Sequence, residues 1–289
     1  MPSTWIITGA SRGFGRELTE QLLARGDRVA ATLRKPEQLD DLAATYGNRL
    51  WVRPLDVTNT DAMRRVVGEA FADLDRIDVV VSNAGYGLVG AAEELTDAQV
   101  DRMIATNLPA GIQLARAVTP HLRAQGGGRI LRMSSMGGRI LRMSSMGGFI
   151  GYTGFSLCHT TKWGIEGFYE CFAGEVEPFG IRTTLIEPGM IRTSFYDAVQ
   201  KSPVLEAYKD NPAIWRGDIN LQDMPGDQAK VVKAMLDVAG AGDPPRRMLP
   251  GSDAYQLVTT ALADRLAAFK DQKDLAFSTD VDDHQPATS

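Results

Sequence analysis

A glycine-rich segment near the first residues is the strongest candidate for chemistry. Residues 8–15 read Thr-Gly-Ala-Ser-Arg-Gly-Phe-Gly, after an apolar run and before Leu18 and Leu22. Glycines permit a tight turn with close backbone approach to a phosphate, and free N–H groups at a helix N-terminus attract anions. The spacing predicts a dinucleotide site, although a structural strand-to-helix turn can have the same spacing. The candidate cofactor-binding residues are Gly9, Ser11, Arg12, Gly13, Phe14 and Gly15.

Two arginines indicate which dinucleotide binds. Arg34 follows the second predicted strand, where dinucleotide folds often place an acid that hydrogen-bonds the adenosine ribose. Arg34 and Arg12 can instead bind the additional phosphate of NADP through charge-assisted hydrogen bonds. The pattern favours NADP(H); the alternative is that both arginines are solvated surface charges. Asp56, which ends the third predicted strand, is a candidate for an adenine contact or a helix-initiating residue.

Short apolar runs alternate with amphipathic segments and would position these residues. The runs are typical of buried parallel strands, and they span residues 5–8, 28–33, 50–55, 77–81 and 181–186. After the third run, one apolar helix face is formed by Met63, Val66, Val67, Ala70 and Phe71. The alternation predicts an α/β, Rossmann-like doubly wound parallel sheet in a single domain, with ligands at the carboxyl ends of the strands.

The last third of the chain is less regular. Residues 193–225 contain several prolines and the aromatic residues Phe195, Tyr196 and Trp215, and we predict a mobile substrate lid with an apolar lining. A surface excursion with its own small core is the alternative. A final helix is predicted from Ser252, as its N-cap, to about residue 270. The NADP-binding domain would thus span residues 1–275, followed by a disordered tail over 276–289.

Further motifs, in their order, resemble the short-chain dehydrogenase/reductase family. Besides the glycine-rich loop, the resemblance rests on Leu55-Asp56-Val57, Asn83-Ala84-Gly85, Asn107, a Ser-Ser pair, Lys162 and Pro188-Gly189, roughly within residues 4–193. It implies hydride transfer between a nicotinamide and a carbonyl or alcohol carbon. It also implies cofactor contacts from Val57, Asn83, Ala84, Gly85, Lys162, Pro188, Gly189 and Thr193.

The same resemblance assigns catalytic roles to Asn107, Ser145, Cys158 and Lys162. In the family a serine steadies the substrate oxygen, a lysine binds the nicotinamide ribose and lowers the pKa of a tyrosine, and an asparagine anchors a water on the proton path. This chain has Cys158 where the family pattern Tyr-x-x-x-Lys has tyrosine. A thiol is shorter than a phenol and a weak hydrogen-bond donor, so Cys158 would need a bridging water.

Two of these residues also have structural interpretations. Asn107 interrupts the apolar stripe of a predicted helix, so it is either a functional anchor, which we favour, or a break made by Pro109. Lys162, beside Trp163, is either partly buried in the site or a surface lysine whose stem covers apolar groups.

A ten-residue duplication gives two candidates for the catalytic serine. Residues 129–138 read RILRMSSMGG, and residues 139–148 repeat them without a change. Ser145 lies thirteen residues before Cys158, the usual separation in the family, whereas Ser135 has the more usual distance after Asn107. We predict that the second copy forms the central strand, because a loop before that strand costs only modest closure entropy. If the first copy pairs instead, the added residues would reshape the pocket.

Together these residues predict an NADP(H)-dependent oxidoreductase that interconverts a ketone or aldehyde and an alcohol, weakened or altered by Cys158. The alternatives are a catalytically silent NADP(H)-binding sensor or scaffold, and isomerisation or dehydration by a Cys158 thiolate. The resemblance further implies a homodimer or homotetramer built on the helices after Asn107 and around Lys162. No metal site is predicted.

Composition narrows the partners and the setting. A net charge of −5 disfavours nucleic acid and anionic membranes, which leaves a small molecule as the expected partner. Cys158 and Cys171 are too few for a disulfide framework, and the apolar run at residues 5–7 has no secretory leader before it. We expect a protein of the reducing cytoplasm.

Overall fold

A seven-stranded parallel sheet lies at the centre of the computed structural model, which describes residues 2–126, 138–217 and 220–281. The strands are β1 (Thr4–Thr8), β2 (Arg28–Leu33), β3 (Leu50–Pro54), β4 (Val79–Ser82), β5 (Arg139–Met143), β6 (Arg182–Ile186) and β7 (Arg247–Met248). Their order across the sheet is β3-β2-β1-β4-β5-β6-β7. The order reverses between β1 and β4, so the predicted doubly wound, Rossmann-like sheet is confirmed.

Helices cover both faces of this sheet. They are α1 (Gly13–Arg25), α2 (Asp40–Tyr46), α3 (Thr60–Asp73), α4 (Asp97–Asn107), α5 (Pro109–Gly126), α6 (Ser156–Val176), α7 (Gln228–Gly240), α8 (Ser252–Lys270) and α9 (Lys273–Phe277). Ile7 of β1 packs on the core beneath α1 and α7, whereas its neighbour Ile6 packs on the core beneath α3, α5 and α6. Because both faces of each central strand are buried, the strands read as continuous apolar runs.

Local sequence signals set the ends of the helices around the site. Asn59 Oδ1 accepts a hydrogen bond from Ala62 N at 2.9 Å and caps α3. Thr96 and Gln99 form a capping box at the start of α4. Gly26 ends α1 in the left-handed conformation, at φ +96°. The two N-caps fix where loops at the carboxyl edge of the sheet end, and Gly26 starts a loop at the opposite edge.

The second copy of the duplicated segment forms β5, as predicted. Arg139 pairs with Val79 of β4 on one side and with Arg182 of β6 on the other. Ser145 therefore follows a central strand directly. Ser135 and the loop predicted before the strand fall within residues 127–137, outside the described residues.

Two predicted boundaries differ from the structure. The last long helix does run from Ser252 to Lys270, but its N-cap is Gly251, at φ +117°, so Ser252 is the first helical residue and not the cap. The predicted tail begins at residue 276, which lies inside α9. The remainder of that tail, from residue 282, is outside the described residues. Among the helices of the described ranges, none has both the length and the apolar character that a membrane span requires.

Candidate active site

A cleft of about 470 Å³ lies at the carboxyl edge of the sheet, where the loops after successive parallel strands meet. It gathers every predicted site residue except Gly15, which lies behind the loop. The predicted residues that line it are Gly9, Ser11, Arg12, Gly13, Phe14, Arg34, Asp56, Val57, Asn83, Ala84, Gly85, Asn107, Ser145, Cys158, Lys162, Pro188, Gly189 and Thr193.

The glycine-rich loop is a cradle in which two glycines, Gly9 and Gly15, have no room for a side chain. Gly9 and Gly13 adopt left-handed conformations, at φ +72° and +54°. A Cβ on Gly9 would lie 2.9 Å from Ala84 Cα, and a Cβ on Gly15 would overlap Gly9 O and lie 2.6 Å from Asn83 Nδ2. The N-cap of α1, Arg12, makes no side-chain capping bond. A helix N-terminus beside these closely packed glycines fits the diphosphate of a dinucleotide.

Asn83, directly after β4, fixes this loop against the neighbouring strand. Its Nδ2 donates hydrogen bonds to Thr8 O at 3.1 Å and Gly9 O at 3.0 Å. Its main-chain N–H donates to Thr8 Oγ1 at 3.1 Å. Three bonds thus hold the turn after β1 in the shape that the cradle needs.

Arg12 and Arg34 face a common recess that adjoins the cleft. Ser11, Lys35 and Gln38 complete its walls. Both arginine side chains are exposed, and with Lys35 they give the recess a positive charge. The recess therefore has the chemistry of a phosphate site.

Asp56 lies at the same end of the cleft as an ionised acid. Its Oδ1 accepts hydrogen bonds from Thr58 N at 2.9 Å and Thr58 Oγ1 at 2.7 Å. These two bonds, with the nearby charges of Arg34 and Arg102, lower the pKa of Asp56. Because Asn59 is the cap of α3, Asp56 is not a helix N-cap, and its turn leaves it on the wall of the cleft.

Asn107 is buried and clamps the loop after β4. Its Oδ1 accepts from Tyr86 N at 3.1 Å, and its Nδ2 donates to Tyr86 O at 2.8 Å. It is also the last residue of α4, immediately before α5 starts at Pro109. The helix ends at Asn107, which agrees with the break made by Pro109, and its side-chain amide is bonded to the backbone of Tyr86; its role as a functional anchor stays a prediction. Its main-chain carbonyl accepts a hydrogen bond from Arg142 Nη2 at 2.7 Å.

Lys162 reaches from α6 to the end of β5. Its Nζ donates hydrogen bonds to Met143 O at 3.3 Å and Ser144 O at 3.0 Å, so it is not a surface lysine. Burial, with repulsion from Arg142, lowers the pKa of Lys162 to about 8. Ser145 follows next in the chain, and its Oγ accepts from Gly147 N at 3.1 Å. Its hydroxyl hydrogen therefore remains available to another acceptor.

The Cys158 thiol is engaged by the backbone of Leu88. Sγ donates to Leu88 O at 3.3 Å and accepts from Leu88 N at 3.2 Å. Burial raises the pKa of the thiol, although the Leu88 N–H and the charge of Lys162 oppose the shift. The thiol therefore keeps its proton near neutral pH, which disfavours thiolate chemistry. Cys158 and Lys162 lie on the same face of α6, as their spacing predicted.

Two residues that line the cleft were not identified from the sequence. Arg142, in β5, and Tyr86 both line the cleft. The sequence signal that could have identified Arg142 is an arginine inside an apolar strand. For Tyr86 the signal is its position next to the Asn83-Ala84-Gly85 motif. His159 does not line the cleft: its Nε2 accepts from Tyr152 N at 3.2 Å, so Nδ1 carries the hydrogen that bonds Gly147 O at 2.7 Å.

The segment predicted as a lid is held by one buried carboxylate. Glu94 accepts hydrogen bonds from Arg216 Nη2 at 2.6 Å, Leu205 N at 3.0 Å and Ser202 Oγ at 3.4 Å. Burial alone would raise the pKa of Glu94, but the bonds from Arg216, Leu205 and Ala91 outweigh it and lower that pKa. Short strand pairs, Leu88–Val89 with Gln200–Lys201 and Ile191–Arg192 with Gly226–Asp227, add to this attachment.

Only part of the predicted aromatic lining faces the cleft. Phe195 and Tyr196 line it, as expected. The prediction was wrong for Trp215, which lies under the Lys201 ammonium, 5.7 Å from its ring centre, and does not line the cleft. The aromatic side chains of residues 193–225 that face the cleft are therefore those near its start, Phe195 and Tyr196.

Comparisons with known proteins agree with this fold. The short chain dehydrogenase family model matches residues 3–203. An oxidoreductase of Botryotinia fuckeliana, BOA17, is 35% identical over 262 residues, which are 89% of this chain and 91% of the relative. A 3-ketodihydrosphingosine reductase of Bacteroides thetaiotaomicron is 36% identical over 196 residues, 68% of this chain and 66% of the relative.

Solved structures show the same architecture. A short-chain dehydrogenase from Streptomyces avermitilis superposes with a TM-score of 0.86 at 33% identity, over 97% of this chain and all of that one. A short chain dehydrogenase from Burkholderia cenocepacia in complex with NADP superposes with a TM-score of 0.69 at 23% identity, over 92% of this chain and 95% of the other. The chain belongs to the short chain dehydrogenase family of oxidoreductases.

Proposed function

We propose that this protein is an NADP(H)-dependent oxidoreductase that interconverts a ketone or aldehyde and an alcohol. The observation that carries the proposal is a continuous cleft: a glycine cradle and a positive recess at one end, and Ser145 with Lys162 in the same cavity. A dinucleotide and a small substrate fit this arrangement. The NADP complex of the Burkholderia relative supports the choice of cofactor.

Each part of the cleft would hold one part of the cofactor. The loop from Gly9 to Gly15 would hold the diphosphate, and Arg12 with Arg34 the additional phosphate. Asp56 and Val57 would contact the adenosine. Thr193 and the Pro188-Gly189 turn would hold the nicotinamide end, beside Lys162. When bound, the nicotinamide supplies the hydride; the protein supplies orientation and the proton.

The substrate oxygen would lie near Ser145. Its hydroxyl hydrogen is available for donation because the Ser145 oxygen accepts the Gly147 N–H. Cys158, at the position where the family has tyrosine, would act at most through a bridging water, since its thiol already bonds Leu88 in both directions. We therefore propose reduction with altered proton transfer, and we do not favour a thiolate reaction.

The proposal is tested by NADPH oxidation against a panel of aldehydes and ketones. We expect turnover by the protein and faster turnover by Cys158→Tyr, because a phenol near Lys162 is a stronger and longer-reaching donor. Cys171→Tyr, an exposed position on the same helix, is the matched control and should leave the rate unchanged. Cofactor binding without turnover by either protein would instead support a silent binding protein.

Cofactor choice is tested separately by calorimetry. Arg34→Ala should weaken NADPH binding by about tenfold or more, since it removes a charge-assisted bond worth about 1.5–3 kcal/mol, and leave NADH binding nearly unchanged. Equal losses for both cofactors would refute the phosphate role of the recess. No binding of either cofactor to folded protein would refute the function itself.

We also propose that the protein is a homodimer or homotetramer. Trp163 of α6 and Leu262, Leu266 and Phe269 of α8 are exposed, and such apolar surface favours contact between copies. Light scattering should give a mass of two or four chains. The mass of one chain at micromolar concentration would contradict the proposal.

A further inference from the structure

Carbonyl reduction needs a proton for the oxygen, and the cleft offers few donors beside Cys158. This inference rests on the proposed function. Apart from Tyr196, whose pKa is raised by burial, and further hydroxyls as weakly acidic as that of serine, the side chains with a transferable hydrogen around this position in the described part of the chain are Ser145, Tyr86, Cys158 and Lys162. A donor is most effective when its pKa lies near the working pH, and serine hydroxyls are far too weakly acidic.

Two of the remaining three are poor donors. The Cys158 thiol directs its hydrogen to Leu88 O, 3.3 Å away, and its pKa is raised by burial. Tyr86 has its hydroxyl buried without a hydrogen-bond partner among the described residues. Burial and the neighbouring Cys158 raise the pKa of Tyr86, and the opposing charge of Arg102 does not reverse this. Both groups therefore hold their protons firmly at neutral pH.

Lys162 differs from both in geometry. Two of the three ammonium hydrogens are bound by Met143 O and Ser144 O, which fix Nζ at the end of β5. One hydrogen remains for a further acceptor. Cys158 precedes Lys162 by one helical turn on the same face, and both side chains line the cleft that would hold the substrate oxygen.

Arg142 is the second buried cation at this place. Its side chain is in the core, at 2% exposure, and it bonds only neutral acceptors: Ser82 O at 3.1 Å, Ser82 Oγ at 2.8 Å and Asn107 O at 2.7 Å. Its Nε has no partner among the described residues. Gly111 of α5 makes room for the guanidinium, since a Cβ there would lie 3.0 Å from Arg142 Cζ.

An unneutralised guanidinium destabilises a second positive charge nearby. Burial first, and repulsion from Arg142 second, lower the pKa of Lys162 to about 8, against the opposing effects of Cys158 and Glu166. The titratable groups that bear on this pair are thus Arg142 from β5, Cys158 and Glu166 from α6, and Tyr169, which faces Arg142.

We propose that Lys162 delivers the proton directly to the substrate oxygen in this protein, and that Arg142 is the positioning residue that makes it an effective donor. As the hydride adds to the carbonyl carbon, the carbonyl π pair moves to oxygen. An O–H bond forms there while an Nζ–H bond of Lys162 breaks and leaves its electron pair on nitrogen. Solvent then returns a proton to the neutral amine. The two cations also stabilise the negative oxygen before the proton arrives.

The first test is independent of turnover. NMR of protein with labelled lysine, in which the Lys162 signal is assigned by Lys162→Arg, should show a titration midpoint near pH 8. Arg142→Gln should raise that midpoint by about one pH unit, and Arg142→Lys, which keeps the charge, should leave it close to the original. Gly111→Ala, which displaces the guanidinium, serves if Arg142→Gln does not fold. An unchanged midpoint in these variants would overturn the role of Arg142.

The second test is the pH profile of kcat/KM for carbonyl reduction. The rate should fall on the alkaline side with the midpoint measured for Lys162, and that midpoint should move in parallel in Arg142→Gln. Tyr86→Phe should keep the midpoint in place. If turnover occurs but its alkaline midpoint does not move in Arg142→Gln, this inference alone is refuted. The same holds if the alkaline fall in rate disappears in Tyr86→Phe. Absence of any turnover refutes the proposed function and the inference together.

Discussion

Raising the pH from about 5 to 8 should destabilise this protein through a pair of buried carboxyl groups. Glu187 follows β6, and Glu166 lies on α6; both are buried, and both contact Arg247 Nη1, at 2.8 Å for Glu187. Glu187 Oε2 and Glu166 Oε1 have no hydrogen-bond partner within the described residues. Arg247 also pairs with the exposed Glu170. One guanidinium thus serves three carboxyl groups.

The geometry implies that one proton remains in this cluster. Burial, and repulsion from Glu166, raise the pKa of Glu187 from its ordinary 4.5 to about 8. Because the folded state holds the proton more tightly than the unfolded chain, the stabilising contribution is complete below about pH 4.5 and is lost as the pH rises through about 8. Between these values the free energy of unfolding should fall by up to about 1.4 kcal/mol per pH unit.

The loss is large beside the total stability of a typical domain, which is about 5–15 kcal/mol. From pH 6 to pH 8 it amounts to about 2–3 kcal/mol from this one group. It should also reach the site, because Glu187 adjoins Pro188 and Gly189 in the wall of the cleft. Cofactor affinity should therefore weaken along with stability.

The assay is urea denaturation at a series of pH values from 5 to 9. Glu187→Gln, which keeps the shape and cannot ionise, should flatten the dependence above pH 6. Glu170→Gln is the matched control, since it removes an exposed carboxyl from the same arginine, and it should leave the slope intact. If Glu187→Gln retains the slope of the parent protein, the shared proton does not exist and the reasoning fails.

Three further changes test the cradle, a helix cap and the lid. Gly15→Ala should cost about 1–3 kcal/mol in thermal denaturation and abolish cofactor binding, because its Cβ would lie 2.6 Å from Asn83 Nδ2. The control is Gly68→Ala, which should be tolerated because a Cβ there would have nothing within 4 Å. Equal behaviour of the two variants would contradict the crowding at Gly15. Asn59→Ala should cost about 1 kcal/mol in urea denaturation by uncapping α3, and no loss would show that the cap is dispensable. Glu94→Gln should speed proteolytic cleavage of residues 193–225 through the weakened Arg216 contact, and an unchanged rate would show that other contacts hold the lid.

Most of the site could be predicted from local sequence, because its motifs follow strands. Gly9, Asn83 and Ser145 each lie within two residues of the end of a buried strand, and parallel strands end at one edge of the sheet, so their convergence could be predicted. Boundaries were less accurate. Ser252 has the residue type of an N-cap, but the backbone of Gly251 takes that position, which propensity alone does not decide.

The sequence by itself determined the sheet, its ligand-binding edge and the residues gathered there, because apolar periodicity and glycine spacing act over a few residues. Only the tertiary structure decided what those residues contact. Arg142 becomes a neighbour of Lys162, Cys158 becomes bound to Leu88, and Glu187 comes to share an arginine with Glu166. These relations join residues far apart in the chain, and their energies depend on burial and distance, which no local pattern encodes.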